Sequence, residues 1–187
     1  MGTESSGDDF LATTRSELRR LKRLGEKALA QVRVDGQLHA LIDPESNSLA
    51  ILIQHLAGNM RSRWTDFLTS DGEKPDRDRE SEFDSRPTAT RAELMAVWEE
   101  GWGRLFQALD GLTAADLARG VAIRGEPHTV VQAILRQVIH YGQHVGQIVF
   151  LAKHLQSGNW KSLSIPRGDS GKRALYKPGF DEGTPGA

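Results

Sequence analysis

A chain of 187 residues with 24 Lys plus Arg against 25 Asp plus Glu, a formal net charge of -1 and no cysteine is long enough for one compact domain and short for two. The balanced charge lacks the basic footprint of a nucleic-acid binder, and the missing thiols exclude disulfides, cysteine nucleophiles and sulfur-ligated metal sites. The opening segment MGTESSGDDF has no apolar run behind it, and no stretch nears the roughly 20 apolar residues that span a bilayer, so a soluble, cytoplasmic protein with no membrane partner is expected.

Residues 8–33 carry Phe10 or Leu11, Thr14, Leu18, Leu21, Ala28 or Leu29 and Val32 at three- and four-residue steps, the pattern of an amphipathic helix. Asp35-Gly36 reads as a turn, and QLHALID is short and ambiguous before Pro44. Residues 45–69 open with Asn47 or Ser48 as N-cap and set Leu49, Ile53, Leu56, Met60 and Phe67 along one stripe, a second long helix. Residues 71–87 are mostly charged and read as a long loop. They form a solvated charge run, or they offer Arg77 and Arg79 to an acidic group at a site mouth. Thr90-x-x-Glu93 is a capping box that starts a third helix. Asp110 ends it, with Gly111 able to take the left-handed conformation. TAADLARG suggests one short helical turn, and VAIRGEPHT a brief extended piece bent at Gly125 and Pro127. Thr129-x-x-Gln132 repeats the capping box and opens a fourth helix that keeps its pattern to about Gln156. The remainder, 157–187, is a loop-like tail packed at Trp160 and Leu163. The whole predicts an all-α fold, a four-helix bundle in a single domain 1–187 with its core at about 8–156. An irregular helical domain is the alternative.

In RQVIHYGQHVGQIVFLAKHL, residues 136–155, His140 and His144 lie four apart. On a helix they differ by about 40° and roughly 6 Å along the axis, which sets both rings over one spot. Such a pair can grip one metal ion, as in HExxH enzymes, although no Glu stands beside His140 and a water-activating base must come from elsewhere. The same spacing also describes two separately solvated histidines. A metal site needs a third ligand, and the natural candidate is His55 in LIQHLAGN, at the edge of the second helix's apolar stripe beside a polar strip of Ser48, Asn59 and Ser62. A hydrogen-bonded core histidine is the competing reading. His39, His128 and His154 read as surface residues. Val131, Leu135, Val138, Val145 and Val149 form one apolar face of the fourth helix, extended toward the histidines by Ile134, Tyr141 and Ile148. A helix apolar over so much of its circumference is buried on more than one side. One side meets the bundle and another a second subunit, which Gly142 and Gly146 would let approach closely.

The blocks SLAILIQHLAGNMRSRW, DGEKPDRDRESEF, RGEPHTVVQAILRQVIHYGQHVGQIVFLAK and WKSLSIPRG, in this order from the first helix to about Gly168, resemble the DinB-like (YfiT-like) superfamily of metal-dependent four-helix bundles, in a branch of unknown function. The resemblance implies an up-down-down-up bundle, commonly a homodimer, with a divalent metal, nickel or zinc, on His55, His140 and His144. It also implies kinship with thiol S-transferases, though a shared scaffold hosts unrelated chemistries. Three neutral imidazoles leave the ion an open position, and the cysteine-free chain must receive any reactive sulfur from a cosubstrate. The expected function is therefore metal-dependent transfer of a low-molecular-weight thiol, or water, to a small electrophilic substrate. The alternative is a metal-binding stress-response or binding module without turnover, its site closed by Asn59, Gln137, Gln147 or a tail residue. A third reading is a metal-free helical protein that pairs through its fourth helix.

Overall fold

The computed structural model describes residues 6–84, 89–166 and 168, and it is mostly helical. Four long helices carry the fold: α1 (Ser6–Leu29), α2 (Leu49–Trp64), α3 (Arg91–Asp110) and α4 (Val130–Gln156). They pack as a closed ring in which α1 meets α4, α4 meets α2, α2 meets α3 and α3 returns to α1. Inside lies one apolar core built from Leu18, Leu56, Trp102, Tyr141 and their neighbours, the expected outcome when each helix must bury one stripe. No described helix is long and apolar enough to cross a membrane.

The caps fall where the sequence sets them. Ser48 Oγ accepts from the Ile51 backbone at the start of α2, and complete capping boxes join Thr90 to Glu93 and Thr129 to Gln132. The ends are less legible. α2 stops at Trp64 rather than running to residue 69, because Asp66 takes a left-handed φ of 48°. Gly111 does not take the left-handed cap expected of it. Its φ is -79°, and its amide simply bonds back to Gln107. Gly101 serves another purpose, since a Cβ there would come within 2.9 Å of the Ala57 backbone, so its bare Cα lets α2 and α3 approach closely.

VAIRGEPHT forms a two-stranded antiparallel hairpin, β1 (Gly120–Ile123) and β2 (Glu126–Thr129), which leads directly into α4. It turns at Arg124 and Gly125, with φ of 56° and 74°, the mirror-image turn that matches strand twist. Pro127 is not a bend. It lies within β2 opposite Ala122, where a residue without an amide proton is tolerated because a two-stranded hairpin is all edge. Asp71 fastens this turn to the loop after α2 by accepting from the Arg124 and Gly125 amides at 2.8 and 2.7 Å, and Gly72 bonds to Ala122 O.

The reading of 71–87 as a solvated charge run holds for Asp76, Asp78, Arg79 and Glu80, which are exposed, and fails at two positions. Arg77 and Glu82 are buried against α2 and paired to each other. Residues 80–83 form a short 3-10 turn, and 85–87 lie outside the described residues. The buried stripe of α4 runs through Ile134, Gln137, Tyr141, Val145, Ile148 and Ala152. Leu135, assigned from sequence to the buried face, instead lies exposed with Ile139 and Phe150. Trp160 and Leu163 pack against the core as expected, while the rest of the tail, 169–187, is outside the described residues.

Candidate metal centre

His55 stands on the second turn of α2, and His140 and His144 on successive turns of α4. Because α2 and α4 are direct neighbours in the ring, the three imidazoles converge, with ring centroids 4.6 to 5.3 Å apart. His140 Nε2 lies 3.2 Å from His55 Nε2 and 3.1 Å from His144 Nε2, and the three ligand nitrogens all fall within 4.8 Å of one another. Two nitrogens each about 2.1 Å from a shared ion are separated by about 3.0–3.4 Å at octahedral to tetrahedral angles. The two short separations match that range. The three histidines are therefore close enough to bind one metal ion.

The opposite edge of two rings is tied down. His55 Nδ1 donates to Glu82 Oε2 at 2.9 Å, since a carboxylate can only accept, and His144 Nδ1 donates to Gln147 Oε1 at 2.7 Å. Each bond puts the proton on Nδ1 and leaves the Nε2 lone pair facing the other rings. Lone pairs at such separations repel unless a cation, a proton or a metal, lies among them. His140 is not anchored in this way: its buried Nδ1 has no hydrogen-bond partner among the described residues, and neither has the buried Gln137 Oε1 three residues earlier on α4.

Burial above all keeps His140 and His144 neutral. Burial, then the neighbouring His144 and His55, then Arg63 and Arg77, push the His140 pKa down to about 3. Burial also lowers that of His144, against the opposing bond to Gln147. Glu82 is the anionic counterpart. Burial pushes its pKa up, but hydrogen bonds from His55 and Arg77 together with the Arg77 charge hold it below the ordinary carboxylate value. Arg77 grips both Glu82 oxygens, at 2.7 and 2.8 Å, and reaches Glu73 at 3.3 Å. The chain Arg77–Glu82–His55 thus orients the ligand ring, in the way carboxylates orient metal-bound histidines. Gly58 on α2 makes room for it, because a Cβ there would collide with the Glu82 carboxylate.

Of the other histidines, His39 is half-buried and bonded to Ala89 O, His128 is half-buried with its bond to Glu126 O exposed to solvent, and His154 is exposed. Glu82 was invisible in the sequence, where it is one acid among many in a charged loop. Asn59, from the polar strip of α2, is buried and bonded through Oδ1 to the Tyr141 hydroxyl, which in turn accepts from Trp64 Nε1. Above the imidazoles opens a cleft of about 610 Å³ bordered by Arg63, Arg77, Arg79, Arg124 and Arg136.

No curated protein and no solved structure matches this sequence. One family model matches residues 5–169, nearly the whole chain, under the description "Protein of unknown function (DUF1572)", and the protein belongs to that family.

Proposed function

We propose that the protein is a metal-dependent enzyme built on a DinB-type bundle. In this reading His55, His140 and His144 hold a divalent ion, nickel or zinc, through Nε2, and the enzyme transfers a low-molecular-weight thiol, or water, to a small electrophile. The observation that carries it is the gathering of three imidazole nitrogens, one from each ring, within 4.8 Å of one another while Glu82 and Gln147 hold two of the rings from behind. When bound by three neutral imidazoles, such an ion keeps its full charge and supplies Lewis acidity toward water or an incoming thiol.

The chain's own residues set the rest of the chemistry. Glu82 and Arg77 fix the His55 ring on the buried side, so reactants enter from the cleft. Burial keeps His140 and His144 unprotonated and available as ligands at neutral pH. With no cysteine in the sequence, sulfur chemistry requires a thiol cosubstrate. The test is thiol-dependent consumption of chlorodinitrobenzene or a bimane. Protein loaded with nickel or zinc should show a rate above background that His144→Ala loses at least tenfold. No metal-dependent rate with any thiol, or in the hydrolysis of activated esters, overturns the enzymatic reading.

One observation favours a module without turnover. Gln137 Oε1, which lines the same cleft as the three histidines, is buried and has no partner among the described residues, a candidate to close the site as a fourth ligand. Asn59 and Gln147 already spend their oxygens on Tyr141 and His144. An exchangeable water in the coordination sphere favours the enzyme, and its absence the module.

The same reading makes the protein a homodimer through α4. Ile139 is 72% exposed and Phe150 68%, Leu135 shares their exposure, and nothing lies within 4 Å of a Cβ placed on Gly142 or Gly146. An apolar ridge with a glycine-lined hollow suits a second copy. Light scattering should give twice the chain mass for wild type and a single-chain mass for Ile139→Glu. A monomeric wild type contradicts the pairing.

A further inference from the structure

We propose that the arginine-bordered cleft binds the oxyanion, a carboxylate or a phosphate, of the small molecule that reacts at the imidazoles, with Arg136 as its principal anchor. The proposal rests on the functional reading above and names the class of molecule it acts on.

The first ground is charge. Among the described residues, five guanidiniums line the cleft and no carboxylate does. The acids within ion-pair distance are Glu73, Glu80 and Glu82, which stand behind or outside it. Two positive charges remain in excess before any ion is counted, in a concave site whose walls focus the field. A cleft with this lining holds anions and repels cationic substrates.

The second ground is the unequal employment of the arginines. Arg63 and Arg77 are buried and committed, Arg63 to Gly72 O and Glu73, Arg77 to Glu82 and Glu73. They tie the loop to α2. Arg79 lies over the Phe83 ring at 4.8 Å, and its one carboxylate, Glu80, is itself 88% exposed. Arg124 stands at the hairpin tip at a backbone φ of 56°, where Gly or Asn is the ordinary choice, and is paired with Glu73 at 2.9 Å. Arg136 is exposed and has no partner among the described residues. A guanidinium with five donors in a fixed fork and nothing to bind is suited to an incoming carboxylate or phosphate.

The third ground is register. Arg136, His140 and His144 succeed one another at four-residue steps and form one stripe along α4, each step being roughly 6 Å. An oxyanion on Arg136 sits about one helical turn from the imidazole cluster, the reach of a molecule whose reactive atom is two or three carbons from its acid group. Asn59 supplies a neutral donor on the facing helix. It is 6% exposed, and its Oδ1 is fixed by Tyr141. Its Nδ2 has no partner among the described residues and is not enclosed by protein, so the amide presents an oriented donor to the cleft it lines.

The experiment has two arms. In the first, inorganic phosphate and succinate are titrated in parallel by calorimetry into metal-free wild type, Arg136→Gln and Lys153→Gln. Arg136 and Lys153 are both exposed on α4, so neither change disturbs the core. Wild type should bind at least one of the two anions, and the stronger titrant identifies the headgroup. Arg136→Gln should weaken that binding at least tenfold, while Lys153→Gln stays within twofold. No binding by wild type, or equal loss in both variants, overturns the proposal. In the second arm, cobalt-loaded protein receives 3-mercaptopropionate or 2-mercaptoethanol, followed by the sulfur-to-cobalt absorption band. The acid-bearing thiol should bind at least tenfold more tightly, and Arg136→Gln should erase the preference. Cobalt uptake without that preference defeats the anion site alone. Failure to take up cobalt, with Arg136-dependent anion binding intact, defeats the metal reading and leaves the anion site standing.

Discussion

Glu82→Ala is expected to cost about 3 kcal/mol of folding stability, the lower end of what breaking a buried ion pair costs. It should also weaken metal binding by about 10- to 100-fold, the usual effect of removing a ligand's outer partner. The first effect follows from Arg77, whose side chain is 3% exposed. With Glu82 gone its charge keeps only the longer contact to Glu73. The second follows from His55, whose ring loses the acceptor that orients it. Glu82→Gln should separate the two, since the amide retains shape and an acceptor oxygen but not the charge. The linkage sign is explicit. The folded carboxyl titrates below its ordinary 4.5, so its contribution is fully present above about pH 4.5 and is lost as pH falls through the folded value. Denaturant titrations on metal-free protein should therefore show wild type losing stability more steeply than Glu82→Gln below that pH. Parallel acid limbs contradict the assignment.

Wild-type protein exposed to one equivalent of zinc or nickel is expected to retain one ion per chain. His55→Ala, His140→Ala and His144→Ala should each lose affinity by more than about a hundredfold, beyond the cost of losing an outer partner. His144→Ala is the cleanest of the three. Its ring is half-exposed, whereas His55→Ala strands Glu82 against Arg77 and His140 lies deeper in the cleft. His39→Ala, His128→Ala and His154→Ala are the controls. Those rings bind a carbonyl elsewhere or face solvent, and their removal should leave the stoichiometry at one. Competition with a chromophoric chelator, with metal content measured on the dialysed protein, reads all six. Equal retention by every variant contradicts the site.

The helices were legible because each buries a stripe at the helical period, and their starts because Ser48, Thr90 and Thr129 carry side chains that satisfy the first free amides. The His140–His144 pair follows from spacing alone. Its convergence with His55 was legible as a hypothesis, since a histidine bordering an apolar stripe must face either a partner or the cleft. What sequence patterning hides is pairing at a distance. Arg77 and Glu82 look like any charges in a polar loop, and only their mutual neutralisation against α2 lets both be buried. In VAIRGEPHT both Gly125 and Pro127 signal a bend, and Gly125 does stand in the turn, but its partner there is Arg124 rather than Pro127, with Asp71 fixing the turn from outside. Leu135 belongs to the apolar arc of α4 on the helical wheel. The packing of α4 turns another stripe inward, and a wheel that is apolar over most of its circumference does not say which stripe that will be.

Diffraction at the metal absorption edge, on crystals of protein purified without a nickel column and loaded with one equivalent of zinc, tests the central claim most directly. One anomalous peak is predicted, about 2.0–2.1 Å from Nε2 of His55, His140 and His144, with the Nδ1 atoms of His55 and His144 still bonded to Glu82 and Gln147. A peak held by other residues, or a His55 ring turned away from an ion bound only by α4, contradicts it.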